Sequence, residues 1–239
     1  MRTGITITTA TIMITEPALY RLLAWLSPSY PVGAFSYSHG IERAVDAGCV
    51  TDMASAGDWI ETVLRLGGGR TDAILFVATH GAASRGDDVA LGEVAETGAA
   101  FVATAELALE SHAQGAAFLL ATEAAWPKEA LSRLRRAWNG PVAYPVAVAV
   151  AAAAHQVPLQ PALVAYLHAF AANLVSSAVR LIPLGQTEGQ KLVTFLEIAV
   201  LETAAEALAG DLDALAGAVP MSDICSMTHE TQYTRLFRS

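Results

Sequence analysis

Leu19, Leu22, Leu23 and Leu26 recur at helical spacing behind Pro17, which suits a helix's first turn, and Pro28 ends the run. The pattern predicts a first helix there. The next stretch, SPSYPVGAFSYSHG, is dense in Ser, Pro and Gly yet carries Tyr30, Phe35 and Tyr37, so it reads as a loop that touches something. Helices are expected over residues 38–47, 52–66 and 71–84, with Asp52 and Thr71 as N-caps and Gly48, the Gly67-Gly68-Gly69 run and Gly86 as stops. Residues 87–125 are helical in composition, weakened at Gly92, Gly98 and Gly115; two or three helices share them, and Glu106, Glu110 and Gln114 form one polar stripe. Val146, Val148 and Val150 alternate as in a strand, but the surrounding alanines argue for a buried helix.

A longer unit starts at Pro161, puts Leu163, Tyr166, Leu167, Phe170, Leu174, Ala178 and Leu181 on one face, and ends before Pro183. Thr187 and Gln190 stand at capping-box spacing, which makes Pro183 to Gln186 a tight elbow before another helix. From Val219 onward the chain is polar and loses its periodicity, as expected of a tail that orders on binding.

Composition supports this reading. Of 239 residues, 54% are hydrophobic, 15% charged and 7% aromatic, with Ala and Leu dominant, and no shift in composition divides the chain. The expectation is an all-α fold, a single-domain bundle of roughly eight to ten helices with mobile N- and C-terminal tails. Its boundaries are an N-terminal tail over 1–16, the helical domain over 17–218 and a partner-binding tail over 219–239. So few charges leave an apolar surface, which points to a permanent partner or a homo-oligomer. Residues 1–16 make a poor secretory signal, though Ile5, Ile7 and Thr9 alternate as if to pair on a partner's edge. The longest apolar stretch, 141–154, falls short of the about 20 residues a bilayer span needs, so no membrane association is expected.

A net charge of -9 repels phosphate backbones and argues against nucleic acid. The one basic concentration, Lys128, Arg133, Arg135 and Arg136, reads as the solvated face of an amphipathic helix. Cys49 and Cys225 form no disulfide or zinc spacing, which fits a reducing cytoplasm.

Six histidines invite a metal search, and Cys225 with His229, four residues on and flanked by Asp223 and Glu230, is the nearest arrangement. Two ligands on a terminal segment do not complete a site, so no metal-binding residue and no cofactor are assigned. There is no nucleophile elbow, and Gly67-Gly68-Gly69-Arg70 lacks the Lys-Ser or Lys-Thr of a phosphate loop. No catalytic residue is assigned either. Arg180 and Arg235 are possible charge-stabilising arginines toward a partner GTPase, but such arginines mostly hold carboxylates or carbonyls.

Three blocks carry a family resemblance: LLAWLSPSYPVGAFSYSHGIE; YPVAVAVAAAAH running on to YLHAFAANLVSSAVRLIPLGQTEGQ; and MTHETQYTRLFRS. Together they resemble the UreF family of urease accessory proteins, departing mildly at His39, Ile41 and Lys191. The resemblance implies an all-helical, non-catalytic cytoplasmic protein that dimerises, binds UreD (also called UreH) and recruits the GTPase UreG to apo-urease for nickel incorporation. Its partner-binding residues would be Tyr30, Pro31, Gly33, Phe35, Ser36, Tyr37, Gly40 and Glu42 in the first block. Arg180, Pro183, Gly185, Gln186 and Gln190 would serve at the elbow, and His229, Glu230, Gln232, Arg235, Leu236 and Phe237 in the tail. The tail is expected to be mobile in the isolated chain, with Leu236 and Phe237 as anchors and Arg235 fixing the loop near Tyr37. Two other readings stay open: a helical metal-dependent enzyme built on Cys225, His229 and Glu230 with His39 nearby, and a generic helical adaptor for another GTPase.

Overall fold

The computed structural model describes residues 13–239; the expected tail and the Ile5-Ile7-Thr9 strand over residues 1–12 lie outside the described residues. Among the described residues there are eleven α-helices, two short 3-10 turns and no strand. In chain order the helices are α1 (Glu16–Trp25), α2 (Ile41–Asp46), α3 (Met53–Leu66), α4 (Gly68–Arg85), α5 (Asp88–Ala100) and α6 (Ala105–Ala125). They continue with α7 (Glu129–Ala137), α8 (Tyr144–Ala154), α9 (Leu159–Leu181), α10 (Gln186–Ala209) and α11 (Pro220–His229).

Local chemistry sets most boundaries. Thr15 accepts from the Ala18 amide at the start of α1, Asp87 from Ala90 at α5 and Thr104 from Leu107 at α6, each satisfying an amide that a helix's first turn leaves free. At α3 the Asp52 carboxylate and the Ser55 hydroxyl cap each other's amides reciprocally. Two expected caps differ. Thr71 lies inside α4, because Gly67 breaks the chain and Gly68 and Gly69 enter the helix. A β-carbon on Gly69 would sit 2.7 Å from Leu64 Cα, so the two helices meet almost without a connector. At α10 the cap comes from Glu188, whose carboxylate accepts the Gly185 amide at 2.8 Å, rather than from Thr187 with Gln190.

Helix α8 is the centre of the core, packed against α4, α6, α7 and α9. Residues 146–152 have no exposed surface, which settles the ambiguity of Val146, Val148 and Val150: a half-exposed strand would have buried alternate residues only. The alanines between the valines let neighbouring helices approach closely. Helices α9 and α10 pack together from the elbow and lean on α3 and α4. By length and composition α9 could cross a membrane, yet it lies among α2, α3, α4, α8 and α10. On α7, Arg133 pairs with Asp88, Arg135 with Glu123 and Arg136 with Glu129, at half-buried to exposed positions, as expected of a solvated face.

The segment after Val219, expected to be aperiodic, contains a helix. Residues 220–229 form α11, which packs on α2 and α6, and the residues beyond it fold back so that Phe237 and Ser239 are buried. Periodicity failed here because the inward face is Ser222, Cys225, Ser226 and His229, small or polar residues that carry no hydrophobic signal.

Helix α6 crosses the segment before α8 at Gly115, where a β-carbon would lie 2.0 Å from the Val142 carbonyl oxygen. Gly115→Ala is therefore expected to destabilise the protein by about 2 to 3 kcal/mol despite alanine's better helix propensity, as read from urea unfolding monitored by circular dichroism.

Candidate functional site

Gly40 precedes α2 at φ +80, and a β-carbon there would lie 3.2 Å from the Ser226 amide nitrogen and 3.3 Å from the Ser222 carbonyl oxygen. Glycine thus satisfies the left-handed turn and lets α11 lie directly on it. Two residues later, in the first turn of α2, the buried Glu42 carboxylate accepts the Leu236 amide at 2.6 Å, the Phe237 amide at 2.9 Å and His229 Nε2 at 2.9 Å. His229, wholly buried, directs Nδ1 at Glu106 Oε2, 2.6 Å away on α6, while Arg235 donates to the other oxygen of Glu106 at 2.9 Å. Each ring nitrogen of His229 thus faces a carboxylate oxygen, and Arg235 brings a permanent positive charge to the same cluster. Thr104 and Ser226 close the cluster, hydroxyl to hydroxyl at 2.7 Å.

A second knot ties the loop before α2. Arg180, near the end of α9, donates to the Phe35 carbonyl at 2.8 Å and lies between two rings, 3.7 Å from the centroid of Phe35 and 4.2 Å from that of Phe237. Ser177 and Asn173 donate to the Tyr37 carbonyl, the Arg238 amide donates to the Ser36 carbonyl, and Ser38 donates through its amide and hydroxyl to the Ser239 carbonyl. Ser239 in turn donates its hydroxyl to Glu110 at 2.9 Å.

Of the residues expected to form a site, Phe35, Ser36, Tyr37, Gly40, Glu42, Arg180, His229, Arg235, Leu236 and Phe237 converge on this one region. Tyr30 instead packs on Phe118 and shares a hydrogen bond with Thr122 on α6, and Gly33 occupies a left-handed turn facing open space. Pro31 is exposed beside them. Pro183, Gly185, Gln186 and Gln190 are exposed at the elbow, Glu230 is exposed at the end of α11, and the Gln232 amide bonds the Thr234 carbonyl.

Two expectations are corrected. Arg235 holds Glu106 and not the loop, which Arg180 and Arg238 hold instead. Of the two expected anchors, Phe237 is 4% exposed and packed inward, whereas the Leu236 side chain is 65% exposed and only its amide is held. The Cys225, His229 and Glu230 metal arrangement also fails, because both His229 nitrogens are engaged and Glu230 faces outward. Among the described residues no group of three His, Cys, Asp or Glu side chains could hold a metal. The polar stripe Glu106, Glu110 and Gln114 is buried. The only hint in the sequence lay in Leu109 and Leu120 of the same helix, which are exposed and so could have betrayed the inverted face.

Beside these knots lies a cavity of about 470 Å³ that reaches from Phe35 inward to Asp72, Glu110, Gln114 and Tyr166. Burial pushes the Asp72 carboxyl up to about 7, although the Tyr166 hydroxyl donates to it at 2.6 Å and His39 opposes the rise. Burial disfavours a charge on His39, but Glu110 beside it, with Asp72 and Asp223, outweighs this and raises its pKa. His39 also holds a left-handed backbone, φ +56, with its ring edge on Phe170. His80, His112 and His155 are pushed down by burial.

Removing the Glu42 carboxylate strands the Leu236 and Phe237 amides and leaves His229 facing Glu106 alone. Glu42→Ala is expected to cost about 3 kcal/mol and to open the segment after α11 to trypsin at Arg235 and Arg238 before the helical core is cut. Limited proteolysis with mass spectrometry reads this order directly.

Residues 50–197 match the family described as UreF. The urease accessory protein UreF of Bradyrhizobium diazoefficiens is 50% identical over 222 residues, covering 93% of this chain and 92% of that protein. That of Rhodopseudomonas palustris is also 50% identical, over 93% of this chain and 94% of the relative, and that of Granulibacter bethesdensis is 48% identical over 94% and 95%. The 222 residues aligned with the first two relatives are nearly the whole chain, and half of them are identical; the chain belongs to the UreF family of urease accessory proteins.

Proposed function

We propose that this chain is a non-catalytic cytoplasmic scaffold for urease maturation, acting as a homodimer that binds UreD (UreH) and brings the GTPase UreG to apo-urease while nickel is installed. The observation that carries the reading is Arg180 between Phe35 and Phe237, which joins the first block, the end of α9 and the C-terminal segment in one surface. Groups that could do acid-base work there are spent on one another: Glu42, Glu106, His229 and Arg235 form a closed set of charge pairs. A scaffold needs that rigidity, whereas a catalyst needs a group left free to face a substrate.

The UreD contact belongs on α11. Its inner face packs on the bundle, while Met221, Ile224 and Met227 line its outer face, each about half exposed. Apolar residues at that spacing on a helix already held in place offer a partner a ready surface at low ordering cost. Deleting residues 220–239 is expected to abolish co-purification with UreD while the remaining helical circular dichroism persists, and Ile224→Asp is expected to weaken the same capture at least tenfold. Undiminished capture by both variants removes the assignment.

UreG recruitment or dimer contact is assigned to the elbow, where Pro183 and Gly185 set the turn and Gln186 stands exposed. Gln186→Ala is expected to leave thermal stability unchanged and to lower urease activation severalfold in a reconstituted system. Full activation reduces the elbow to a turn between helices.

A further inference from the structure

The cavity beside Asp72 has a composition that scaffolding does not require. Its volume, about 470 Å³, lies in the range of small-molecule sites. Leu26, Val63, Leu75, Phe101 and Leu174 supply apolar wall, while Asp72, Glu110 and Asp223 are its carboxylates, and no lysine or arginine lines it. Two polar side chains open on it without partners among the described residues. Gln114, 5% exposed, spends its amide nitrogen on Glu110 and leaves its carbonyl oxygen free, and the hydroxyl of Ser222, 3% exposed, makes no hydrogen bond. Both oxygens open on the cavity and not into protein, so a molecule held there can supply them with a donor.

We propose that this cavity binds a small amphipathic organic cation, a primary alkylammonium or alkylguanidinium, with its charged head at Asp72 and Gln114 and its alkyl stem along the apolar wall. Three alternatives fit worse. An anion meets three carboxylates against one histidine of raised pKa, His39, which Glu110 already faces. A neutral apolar molecule leaves the buried oxygens unsatisfied. A bare divalent metal ion needs several convergent ligands, and among the described residues no such group exists. An alkylammonium has three N–H donors for these oxygens, and the rings of Tyr144, Tyr166 and Phe170 in the lining suit both its charge and its stem.

Binding is linked to protons. Asp72 is neutral below about 7 and ionised above it, and a cation prefers the ionised form. The titratable groups that line the cavity with it are His39 before α2, Glu110 on α6, Tyr144 on α8, Tyr166 and His168 on α9, and Asp223 on α11. Affinity therefore rises with pH through the neutral range, by about tenfold between pH 6 and pH 8.

Isothermal titration of the full chain with n-butylammonium, and with butan-1-ol as the neutral analogue of equal length, tests this. The expected results are saturable butylammonium binding, about tenfold tighter at pH 8 than at pH 6, and butanol binding at least tenfold weaker at pH 8. Asp72→Asn, which keeps an acceptor for Tyr166, should lose at least tenfold in butylammonium affinity together with the pH dependence. Absence of butylammonium binding, equal binding of butanol, or unchanged binding by Asp72→Asn overturns the proposal; should that variant not fold, the pH and butanol comparisons on the unaltered chain decide it.

Discussion

A carboxylate taken out of water must be met by donors, and Glu42 obtains all of its donors from the far end of the chain. That requirement organises the region around it. Glu42 sits in a helix of only six residues, too short to stand without tertiary support, so α2 and the segment after α11 hold each other in place. His229 passes the constraint on to Glu106, and Arg235 closes the account of charge. Gly40 is glycine because α11 must come close enough for these bonds to form.

Most helices were legible because they are amphipathic or wholly apolar and are bounded by Pro, Gly, Asp or Thr. The first helix, α3, α5 to α9 and the elbow all follow from such marks. The misreadings share one cause. Thr71 and Thr187 are competent caps by chemistry, but a glycine one turn earlier or a glutamate one residue later did the work, and short-range spacing cannot rank such neighbours. In α11 and the first half of α6 much of the inward face is polar, which locally inverts the rule that hydrophobic pattern reveals the core.

The same inversion explains why the site was half legible. Family blocks named Phe35, Tyr37, Glu42, Arg180, His229 and Phe237, yet not who bonds whom, since Arg180 and Arg235 could each have held the loop. Glu106 and Glu110 read only as a polar stripe and not as site residues, because a carboxylate on a helix is nearly always at the surface. Only three-dimensional proximity to His229, Arg235 and Ser239 makes their burial tolerable. Asp72 carried no signal and Tyr166 only that of an apolar helix face; they are ordinary residues on two long helices that meet at a cavity.

The pairing of Glu42 with His229 spans 187 residues of chain. During synthesis α2 emerges with its carboxylate unmatched and stays so while nearly the whole bundle is made, so the loop around Phe35 gains its final shape only when the C-terminal segment arrives. Non-local contacts of this kind form late and slowly. The region where the family blocks converge thus depends on residues made long after α2: a chain without the segment after α11 lacks that surface.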